Sequence, residues 1–556
     1  DEALVGRGYG EENDFCMRAT AHGWRHAIAA DVYVLHRNGV SFGAARQGLR
    51  QRNATLLSAR HPTYEAQVAA FEADQPLAAL RRRLDIAALR ESRRRIVLLV
   101  SHALGGGVRR HVEARMTALA ERGLLPLLLR PGEDGGEAFA TTSRTDSCRD
   151  LRFRSDEAAD FASFLRSLDV ERVELHHFLG LDAAFIDGCF AAGAPVDVFL
   201  HDFSLYCPRL TLLGASEAYC GEAGIAACRE CVDKAGSELH DGLTPDALRE
   251  RSRRWLAQAR TVTAPCRDTA LRHERVFPDR RIAVSAWEDE VRAPVRVMPA
   301  AGPPWRIALL GAIGEQKGQS VLLECAAHAA EHEAPLEFSI IGFAADEEAL
   351  LRTGRAFITG PYEPEELPSL LRREAPHAIF LPSVTPETWS YALSEAMTTG
   401  LPVIAFDIGA ISERLRVSAV PHRLIPPGTG AAEINELLLA VASGAVDLSP
   451  PALPLTIHTP GVSIMRDNGS APTSLVEMLT LARGVYRFST EREGIGSTPD
   501  GMLPALQVIA APGQPDGAIE CISLPTPDSR WLRGGSDSIV LQVHRDRTRV
   551  VGVLIT

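Results

Sequence analysis

The sequence lacks any apolar run that approaches the length of a membrane span, and no signal peptide is visible in it. It also lacks an excess of basic residues: 71 Asp and Glu outnumber 59 Lys and Arg, and the net charge of −12 argues against a general nucleic-acid-binding protein. Ten cysteines in 556 residues are too few for a disulfide scaffold. Internal repeats and long low-complexity tracts are absent as well. We therefore expect a cytoplasmic globular protein without a nucleic-acid partner.

The length and the composition suit a large multidomain protein. With 556 residues the chain is long enough for three or more domains, and its apolar fraction of 46% and charged fraction of 23% are ordinary for globular proteins. The chain begins with Asp1 rather than Met and ends in an apolar, strand-like run over 550–556. We therefore expect a piece of a longer protein, cut at the front and perhaps also at the back.

One stretch combines a strand–loop–helix–strand pattern with two carboxylates. Apolar runs at 377–381 and 402–406 predict buried strands, and 390–399 favours a helix, which together form the building block of a doubly wound sheet. Glu387 falls in the loop and Glu395 about two turns into the helix, a separation of roughly 12 Å at helical rise. The helix starts between the two glutamates, and free N–H groups at a helix start favour phosphate oxygens. These N–H groups belong to Thr388, Trp389, Ser390 and Tyr391. Two solvated glutamates on a surface helix would give the same spacing.

The spacing Glu387-x7-Glu395, after the letters FLPS, resembles the E-x7-E signature of the retaining GT-B glycosyltransferases of family 4. In that family the first Glu contacts the donor sugar and the second the nucleotide ribose, so the resemblance implies a catalytic Glu387 and a nucleotide-binding Glu395. The resemblance covers about residues 96–445. It implies an α/β fold of GT-B type, with two Rossmann-like lobes facing a cleft: an acceptor lobe over 96–296 and a donor lobe over 297–447.

The donor lobe begins with a strand at Trp305 that leads into a glycine-rich turn. The turn matches the family's Gly-Arg-x(4)-Lys-Gly pattern, except that Ala312 stands in place of the arginine, so one of two expected phosphate-facing cations is missing. A lysine in such a turn suits a diphosphate, although an exposed lysine in a polar turn is the plain alternative. Tyr362 falls where family members pack the nucleobase. The residues assigned to the turn are Gly311, Gly314, Lys317 and Gly318.

The acceptor lobe begins with a strand over 96–100, followed by a glycine loop that allows close approach of a ligand to backbone. The resemblance places this loop, Gly105, Gly106 and Gly107, at the inter-lobe cleft. Further strands are predicted at 170–176, 196–201 and 261–265. The strand at 196–201 ends in His201, which the resemblance places near the donor sugar as a catalytic residue. A tight turn and a strand-capping histidine are the plain alternatives.

Four cysteines lie within 25 residues of each other, at Cys207, Cys220, Cys228 and Cys231. Because Cys228 and Cys231 have ligand-pair spacing and four thiolates can close a tetrahedral site, the pattern predicts a structural zinc ion. The gaps fit no standard zinc finger, and four unlinked buried thiols or two disulfides would also account for the pattern.

The two ends of the chain differ from the middle. Residues 1–70 resemble the end of a family 2, GT-A glycosyltransferase domain, which implies a remnant site of Glu12, Asp14 and His36; an acidic turn and an unpaired histidine are the alternative. Residues 71–95 predict a helical linker. Residues 448–556 predict a small all-β appendage of sandwich type from five short β-like segments.

The resemblance implies a glycosyltransferase that moves a sugar from a UDP- or GDP-type nucleotide-sugar to a glycan or lipid-linked acceptor with retention, in surface polysaccharide biosynthesis. No metal is required for such a transfer. Peripheral association with the inner face of the membrane is a further expectation. The rival hypothesis is a non-catalytic binding subunit of a glycan-assembly complex, which the missing cation at Ala312 and the halved GT-A region motivate. A GT-B-like epimerase is disfavoured by the E-x7-E spacing.

Overall fold

The computed structural model describes residues 9–27, 29, 32, 34, 46–132, 137–141, 151–288, 294–295, 297–418, 420–446 and 448, and the backbone of the strands between 455 and 555. The chain divides into two compact units, Asp1–Ser92 and Arg93–Thr556. The predicted site residue His36 lies outside the described residues. In the part of the chain that the structure covers, none of the helices combines the length and the apolar composition needed to cross a bilayer.

Four helices lie in the described residues of the first unit. Asp14 is fully buried, and its carboxylate accepts hydrogen bonds from Arg18 Nε and His61 Nε2, both at 2.9 Å. Asp14 therefore fixes the first helix to the end of the second, whereas Glu12 on the same helix is exposed. The GT-A remnant stays a prediction. The helices are α1 (Glu11–Ala21), α2 (Arg46–Arg60), α3 (Tyr64–Asp74) and α4 (Ala78–Glu91), the last within the predicted linker.

The first lobe of the second unit is built on an eight-stranded sheet in the order β4-β3-β2-β1-β5-β6-β7-β8. All neighbouring strands are parallel except at the β2/β3 and β3/β4 pairs, which are antiparallel. The strands are β1 (Ile96–Val100), β2 (Leu125–Pro131), β3 (Glu137–Thr141), β4 (Arg152–Arg154), β5 (Arg172–Leu175), β6 (Val196–Phe199), β7 (Thr261–Ala264) and β8 (Ala283–Val284).

Helices pack against this sheet. β1 is buried along its whole length, as its continuous apolar sequence predicts for a central parallel strand. Its Val97 and Leu99 share one apolar cluster with Val112 and Leu119 of the helix that follows. That helix starts directly after the glycine loop, so packing against β1 fixes where the loop lies. The helices of this lobe are α5 (Gly107–Glu121), α6 (Ala158–Ser167), α7 (Ala183–Ala191), α8 (Ile225–Ala235), α9 (Pro245–Gln258) and α10 (Arg267–Val276).

The second lobe is a six-stranded, fully parallel sheet in the order β11-β10-β9-β12-β13-β14. The chain order reverses on either side of β9, which creates a crevice at the carboxyl ends of β9 and β12. The strands are β9 (Trp305–Ile313), β10 (Leu336–Ala344), β11 (Ala356–Ile358), β12 (Ala378–Leu381), β13 (Val403–Phe406) and β14 (His422–Ile425).

Both faces of this sheet are covered, because successive side chains of β9 enter different apolar clusters. Ile307 and Leu309 belong to one cluster, and Ala308 and Leu310 to the other. This two-sided core is the doubly wound arrangement that the sequence predicts. The helices of this lobe are α11 (Gln319–Glu331), α12 (Glu347–Arg352), α13 (Leu367–Glu374), α14 (Tyr391–Met397), α15 (Gly409–Arg416) and α16 (Ala431–Ala442).

Beyond the second lobe the structure describes backbone strands. One sheet has the order β15-β17-β20-β19 and another the order β16-β21-β18. The separate all-β appendage of 448–556 stays a prediction. The strands are β15 (Leu455–Thr459), β16 (Thr473–Leu481), β17 (Gly484–Thr490), β18 (Ala505–Ala510), β19 (Ile519–Ser523), β20 (Asp537–Val543) and β21 (Thr548–Ile555).

Candidate active site

A cavity of about 800 Å³ lies between the two α/β lobes. Its walls include loops that follow β1 and β6 in the first lobe and β9, β11 and β12 in the second, together with the last residues of β9 and β10. This is the edge at which parallel sheets concentrate binding groups. The structure thus brings most of the predicted residues to one place. Those that line the cavity are Gly105, Gly106, Gly107, His201, Gly311, Lys317, Tyr362, Glu387, Thr388, Trp389, Ser390, Tyr391 and Glu395.

Two predicted residues of the donor turn have a different position. Among the described residues, Gly314 and Gly318 are not part of the cavity wall. Gly318 has a φ of 81°, and a Cβ at this position would collide with the carbonyl oxygen of Pro382 at the end of β12. Only glycine allows this close approach, so Gly318 shapes the turn that presents Lys317 and does not itself contact a ligand.

Positive charge reaches the cavity from both lobes. Lys317 ends a short 3-10 turn and lines the cavity, as does Ala312, which replaces the arginine of the resembled pattern. Arg109 and Arg110, at the start of α5, line the wall from the first lobe. The resembled pattern indicates phosphate-facing cations in the second lobe alone, so these arginines were not predicted from the sequence. Their position directly after the glycine loop was the signal that could have identified them.

The loop that carries Glu387 is held by bonds to both lobes. Ser383 Oγ donates a hydrogen bond to Glu387 Oε1, and Thr388 Oγ1 donates one of 2.6 Å to the carbonyl oxygen of His201 in the first lobe. Ser390 adopts a φ of 67°, a conformation that costs about 1–3 kcal/mol for a residue other than glycine. The surrounding contacts therefore hold this loop in a defined conformation beside the cavity.

Arg414 of α15 supplies several of these contacts and was missed from the sequence. Its guanidinium donates to the carbonyl oxygens of Trp389 at 2.8 Å and Ser390 at 2.9 Å, and to Ser394 Oγ at 2.8 Å. The same group lies 3.7 Å from the centroid of the Trp389 ring. The buried Arg414 side chain therefore holds the backbone of the strained loop in place through these hydrogen bonds. Arg414 lies 25 residues from Trp389 in the sequence, so no local sequence pattern could indicate this contact.

Glu395 lies on α14, which begins at Tyr391, one residue later than predicted. Its carboxylate is mostly buried and accepts hydrogen bonds from Arg110 Nη1 at 2.8 Å and from Tyr362 OH at 3.3 Å. Burial and the neighbouring Glu395 raise the pKa of Tyr362, which keeps the phenol protonated as a donor. The Arg110 guanidinium also lies 4.6 Å from the centroid of the Tyr391 ring. Arg110 and Glu395 therefore join the two lobes across the cavity.

His201 lies on the cavity wall beside two further histidines of the first lobe. Its Nε2 is 3.0 Å from Nδ1 of His176, and His111 is the third member of the group. Burial and the neighbouring histidines lower the pKa of His201 well below its usual value, so the ring is neutral. The catalytic role of His201 stays a prediction.

A second group of side chains beside His201 consists of His102, His177 and Asp202. His177 Nε2 donates a hydrogen bond of 2.8 Å to Asp202 Oδ2. Burial alone would raise the pKa of Asp202, but the interactions with His177 and Ser204 lower it to about 2. His102, from the loop after β1, packs edge-on against the His177 ring with 4.8 Å between ring centroids. These contacts fix the carboxyl ends of β1, β5 and β6 relative to one another.

The four predicted zinc ligands are among the residues that line a separate cavity of about 380 Å³. They are Cys207, Cys220, Cys228 and Cys231. Burial raises the pKa of Cys207 to about 12. Arg249 Nη2 lies 3.3 Å from Cys228 Sγ. Among the described residues, the group whose ligand atoms approach to within 4.8 Å is instead the histidine group. The geometry therefore gives no support to the structural zinc at these cysteines.

The chain was also compared with known proteins. Residues 305–443 match the family model of the glycosyl transferases group 1. The matched segment runs from β9 through α16 and contains Lys317, Glu387 and Glu395. Together with the two-lobed α/β fold, this match supports a glycosyltransferase of GT-B type. A comparison with curated proteins finds no match.

Similar solved structures include that of Anabaena HepE in complex with UDP and glucose, at 14% identity and a TM-score of 0.39, covering 63% of this chain and 93% of that one. The lipopolysaccharide outer core galactosyltransferase WaaB, in its apo form, has 14% identity and a TM-score of 0.42, covering 64% and 91%. A mutant of S. aureus TarM in complex with Fondaparinux, alpha-GlcNAc-glycerol and UDP has 10% identity and a TM-score of 0.41, covering 63% and 93%. These values establish neither the donor nor the acceptor of this protein.

Proposed function

We propose that the protein is a retaining, family 4-type glycosyltransferase that transfers a sugar from a UDP- or GDP-type nucleotide-sugar to a glycan or lipid-linked acceptor. The observation that carries the proposal is the inter-lobe cavity whose lining contains Lys317, Glu387 and Glu395 together. The family match over 305–443 supports the assignment of the second lobe to the donor. Surface polysaccharide biosynthesis is the process that we propose for this transfer.

In this proposal Lys317 neutralises the donor diphosphate, with Arg109 and Arg110 supplying further positive charge from the first lobe. The diphosphate gains negative charge as the glycosidic bond breaks, so fixed cations stabilise the transition state more than the bound donor. Because Arg109 pairs with Glu113 and Arg110 with Glu395, they offset the missing cation at Ala312 only in part. Transfer then needs no metal ion at the diphosphate.

The two glutamates contact opposite ends of the donor. Glu387 orients the sugar hydroxyls, and its loop is positioned by Ser383 and Thr388. Glu395 accepts ribose hydroxyls. A carboxylate offers about four lone-pair sites, and Glu395 uses two in the hydrogen bonds with Arg110 and Tyr362. The ribose can therefore bind without breaking the contact between the lobes.

The first lobe provides the acceptor side of the cavity, through the loop of Gly105, Gly106 and Gly107 and through His201. Closing the lobes over the donor would exclude water and limit hydrolysis. We further propose that 1–70 is a GT-A remnant, that 71–95 is a linker, that 448–556 is a β-rich accessory domain, and that the protein works in the cytoplasm at the inner face of the membrane.

The test is a calorimetric titration with UDP-glucose and with GDP-mannose, followed by a single-turnover assay for sugar transfer and donor hydrolysis. We expect one of these donor types to bind and to be consumed, and the product to keep the anomeric configuration of the donor. Inversion in the product would contradict the retaining mechanism. Binding of a donor without transfer or hydrolysis would favour the non-catalytic binding subunit, for which Ala312 is the specific observation.

A further inference from the structure

Three histidines from separate elements of the first lobe converge beside the cavity. His111 lies on α5, His176 follows β5 and His201 follows β6. One ring nitrogen of each lies within 4.8 Å of those of the other two. The nearest pair, Nδ1 of His176 and Nε2 of His201, is separated by 3.0 Å. The donor residues Lys317, Glu387 and Glu395 are not part of this group.

The arrangement of the rings has the dimensions of a metal site. The ring centroids are 5.3 Å apart for His111 and His176, 5.0 Å for His111 and His201, and 5.3 Å for His176 and His201. Three imidazoles on a tetrahedral zinc ion, with Zn–N distances of about 2.0–2.1 Å, place their centroids about 5 Å apart. The rings are inclined by 46° to 64°, so they are not stacked on one another.

A buried ring nitrogen in the group is also left without a protein partner among the described residues. In the described structure Nε2 of His111 is buried without a hydrogen-bond partner. Such orphaned polar atoms are rare in folded proteins and are accounted for where they face an ion.

A carboxylate lies behind the group, where metal sites place one. Glu174 Oε2 is 3.7 Å from Nε2 of His176, on the ring edge opposite to the nitrogen that faces His201. Arg115 fixes Glu174 with two hydrogen bonds of 2.8 Å each. A carboxylate there favours the proton on Nε2 of His176, which leaves the Nδ1 lone pair directed at the other histidines. Ligand histidines are commonly oriented in this way by a carboxylate.

We propose that His111, His176 and His201 bind one divalent transition-metal ion, of which zinc is one that three histidines hold in proteins. His201 and Trp287 both line the cavity, and the Trp287 ring packs against His201 with 5.1 Å between ring centroids, so the histidine group borders the cavity. The ion would fix α5, which carries Arg110, relative to the ends of β5 and β6. His201 follows β6, and its carbonyl oxygen accepts the hydrogen bond from Thr388. This proposal does not depend on the identity of the sugar donor.

The experiment titrates chelator-treated protein with Zn²⁺ and with Co²⁺, whose tetrahedral complexes absorb in the visible range. Wild-type protein should bind one equivalent with a nitrogen-type cobalt spectrum. His111→Ala and His201→Ala should each weaken binding at least 100-fold, and His201, at the cavity wall, is the substitution that least threatens folding. Glu174→Gln should weaken binding about 10- to 100-fold, as for other residues that orient metal ligands.

A matched control addresses binding elsewhere. His328 on α11 stacks against His332, the residue that follows this helix, with 4.1 Å between the ring centroids, a spacing at which surface histidines can chelate metals. The double variant His328→Ala/His332→Ala should keep the tight site. The cysteine group is distinguished by its spectrum, because thiolate ligands give cobalt intense near-ultraviolet charge-transfer bands. Absence of tight binding in wild-type protein, unchanged binding in His111→Ala and His201→Ala, or a thiolate spectrum lost in Cys228→Ser would each overturn the proposal.

Discussion

At the scale of single residues, the chain makes unusually little use of lysine. Of its 59 Lys and Arg residues only Lys234 and Lys317 are lysines. One of them lines the inter-lobe cavity, and the other is exposed on α8. The pair therefore offers a matched comparison, because the same substitution can be made inside and outside the proposed site.

We expect Lys317→Ala to weaken nucleoside diphosphate binding by about 1.5–3 kcal/mol, the range for a hydrogen bond to a charged group. Lys234→Ala should change it by less than about 0.5 kcal/mol. Because the lost interaction is electrostatic, the difference between wild type and Lys317→Ala should shrink as salt is added. Calorimetric titrations at two ionic strengths measure both effects. Equal affinities of the two variants would remove Lys317 from the site.

Glu387 is expected to act on the sugar, where geometry and charge change most during the reaction. Glu387→Ala should therefore lower the single-turnover rate by on the order of 100-fold, while binding of the bare nucleoside diphosphate changes little. Glu363 also lines the cavity but is exposed. Glu363→Ala serves as the control and should keep the rate within a few-fold. A full transfer rate in Glu387→Ala would contradict the assignment.

The residues that sequence reasoning located are those next to a strand end. Lys317 and Glu387 follow apolar runs whose carboxyl ends meet at one edge of the sheet, so their convergence is predictable. Arg110 contacts Glu395 across a sequence separation of 285 residues, and the histidine group joins three elements. No local pattern encodes such pairings, because they depend on how the two lobes and their loops pack.

At the scale of elements, the start of α15 supports the loop that carries Glu387. The amide of Ala410 donates a 2.9 Å hydrogen bond to the carbonyl oxygen of Glu387. At Gly409, with a φ of 64°, a Cβ would lie 2.7 Å from the Cα of Pro386 and 2.8 Å from the amide nitrogen of Glu387. No side chain fits between this helix and the loop.

We expect Gly409→Ala to destabilise the fold by about 3 kcal/mol or more, since both backbone strain and a clash with backbone act against it. Gly354 has a nearly identical φ of 65° but open space around its Cβ position. Gly354→Ala should therefore cost only the strain, about 1–2 kcal/mol. Denaturant unfolding of both variants measures the difference. Equal losses would show that the contact with the Glu387 loop does not constrain Gly409.

Among the elements, most buried parallel strands were predicted to within a few residues, as for β1, β9 and β13, which have continuous apolar sequences. The central strand β2 was missed although it is apolar, and the short strands β3 and β4 were missed because they contain charged residues. The predicted helix at 390–399 ends earlier, because Thr398 and Thr399 turn their hydroxyls back to the carbonyl oxygens of Glu395 and Ala396. Such bonds compete with continued helix.

At the scale of the whole molecule, several histidines are buried in the neutral form. Burial lowers the pKa of His273 from 6.5 to about 4, and it lowers those of His102 and His111 to about 4 and about 3. Such a histidine takes up a proton more readily in the unfolded chain. Stability is therefore unaffected above about pH 6.5 and falls as the pH drops toward the lowered pKa.

We expect the free energy of unfolding of chelator-treated protein to fall steeply between pH 6.5 and 4, with His273 alone contributing about 3 kcal/mol. Denaturant melts at a series of pH values measure this slope. In His273→Gln the dependence of the unfolding free energy on pH should decrease by an amount that corresponds to the uptake of up to one proton on unfolding. A free energy of unfolding that is equal at pH 7 and pH 5 would contradict the burial of these neutral rings.

The position of Lys317 also makes the cavity accessible to amine chemistry. An amine-reactive reagent that modifies both lysines would have Lys234 as an internal standard on the protein surface, and the ratio of the two modified peptides would report whether the cavity is filled. Each candidate donor or acceptor could then be ranked by the protection it gives to one peptide in a mass spectrum. Because almost all basic residues of this chain are arginines, its two lysines can report whether the cavity is occupied.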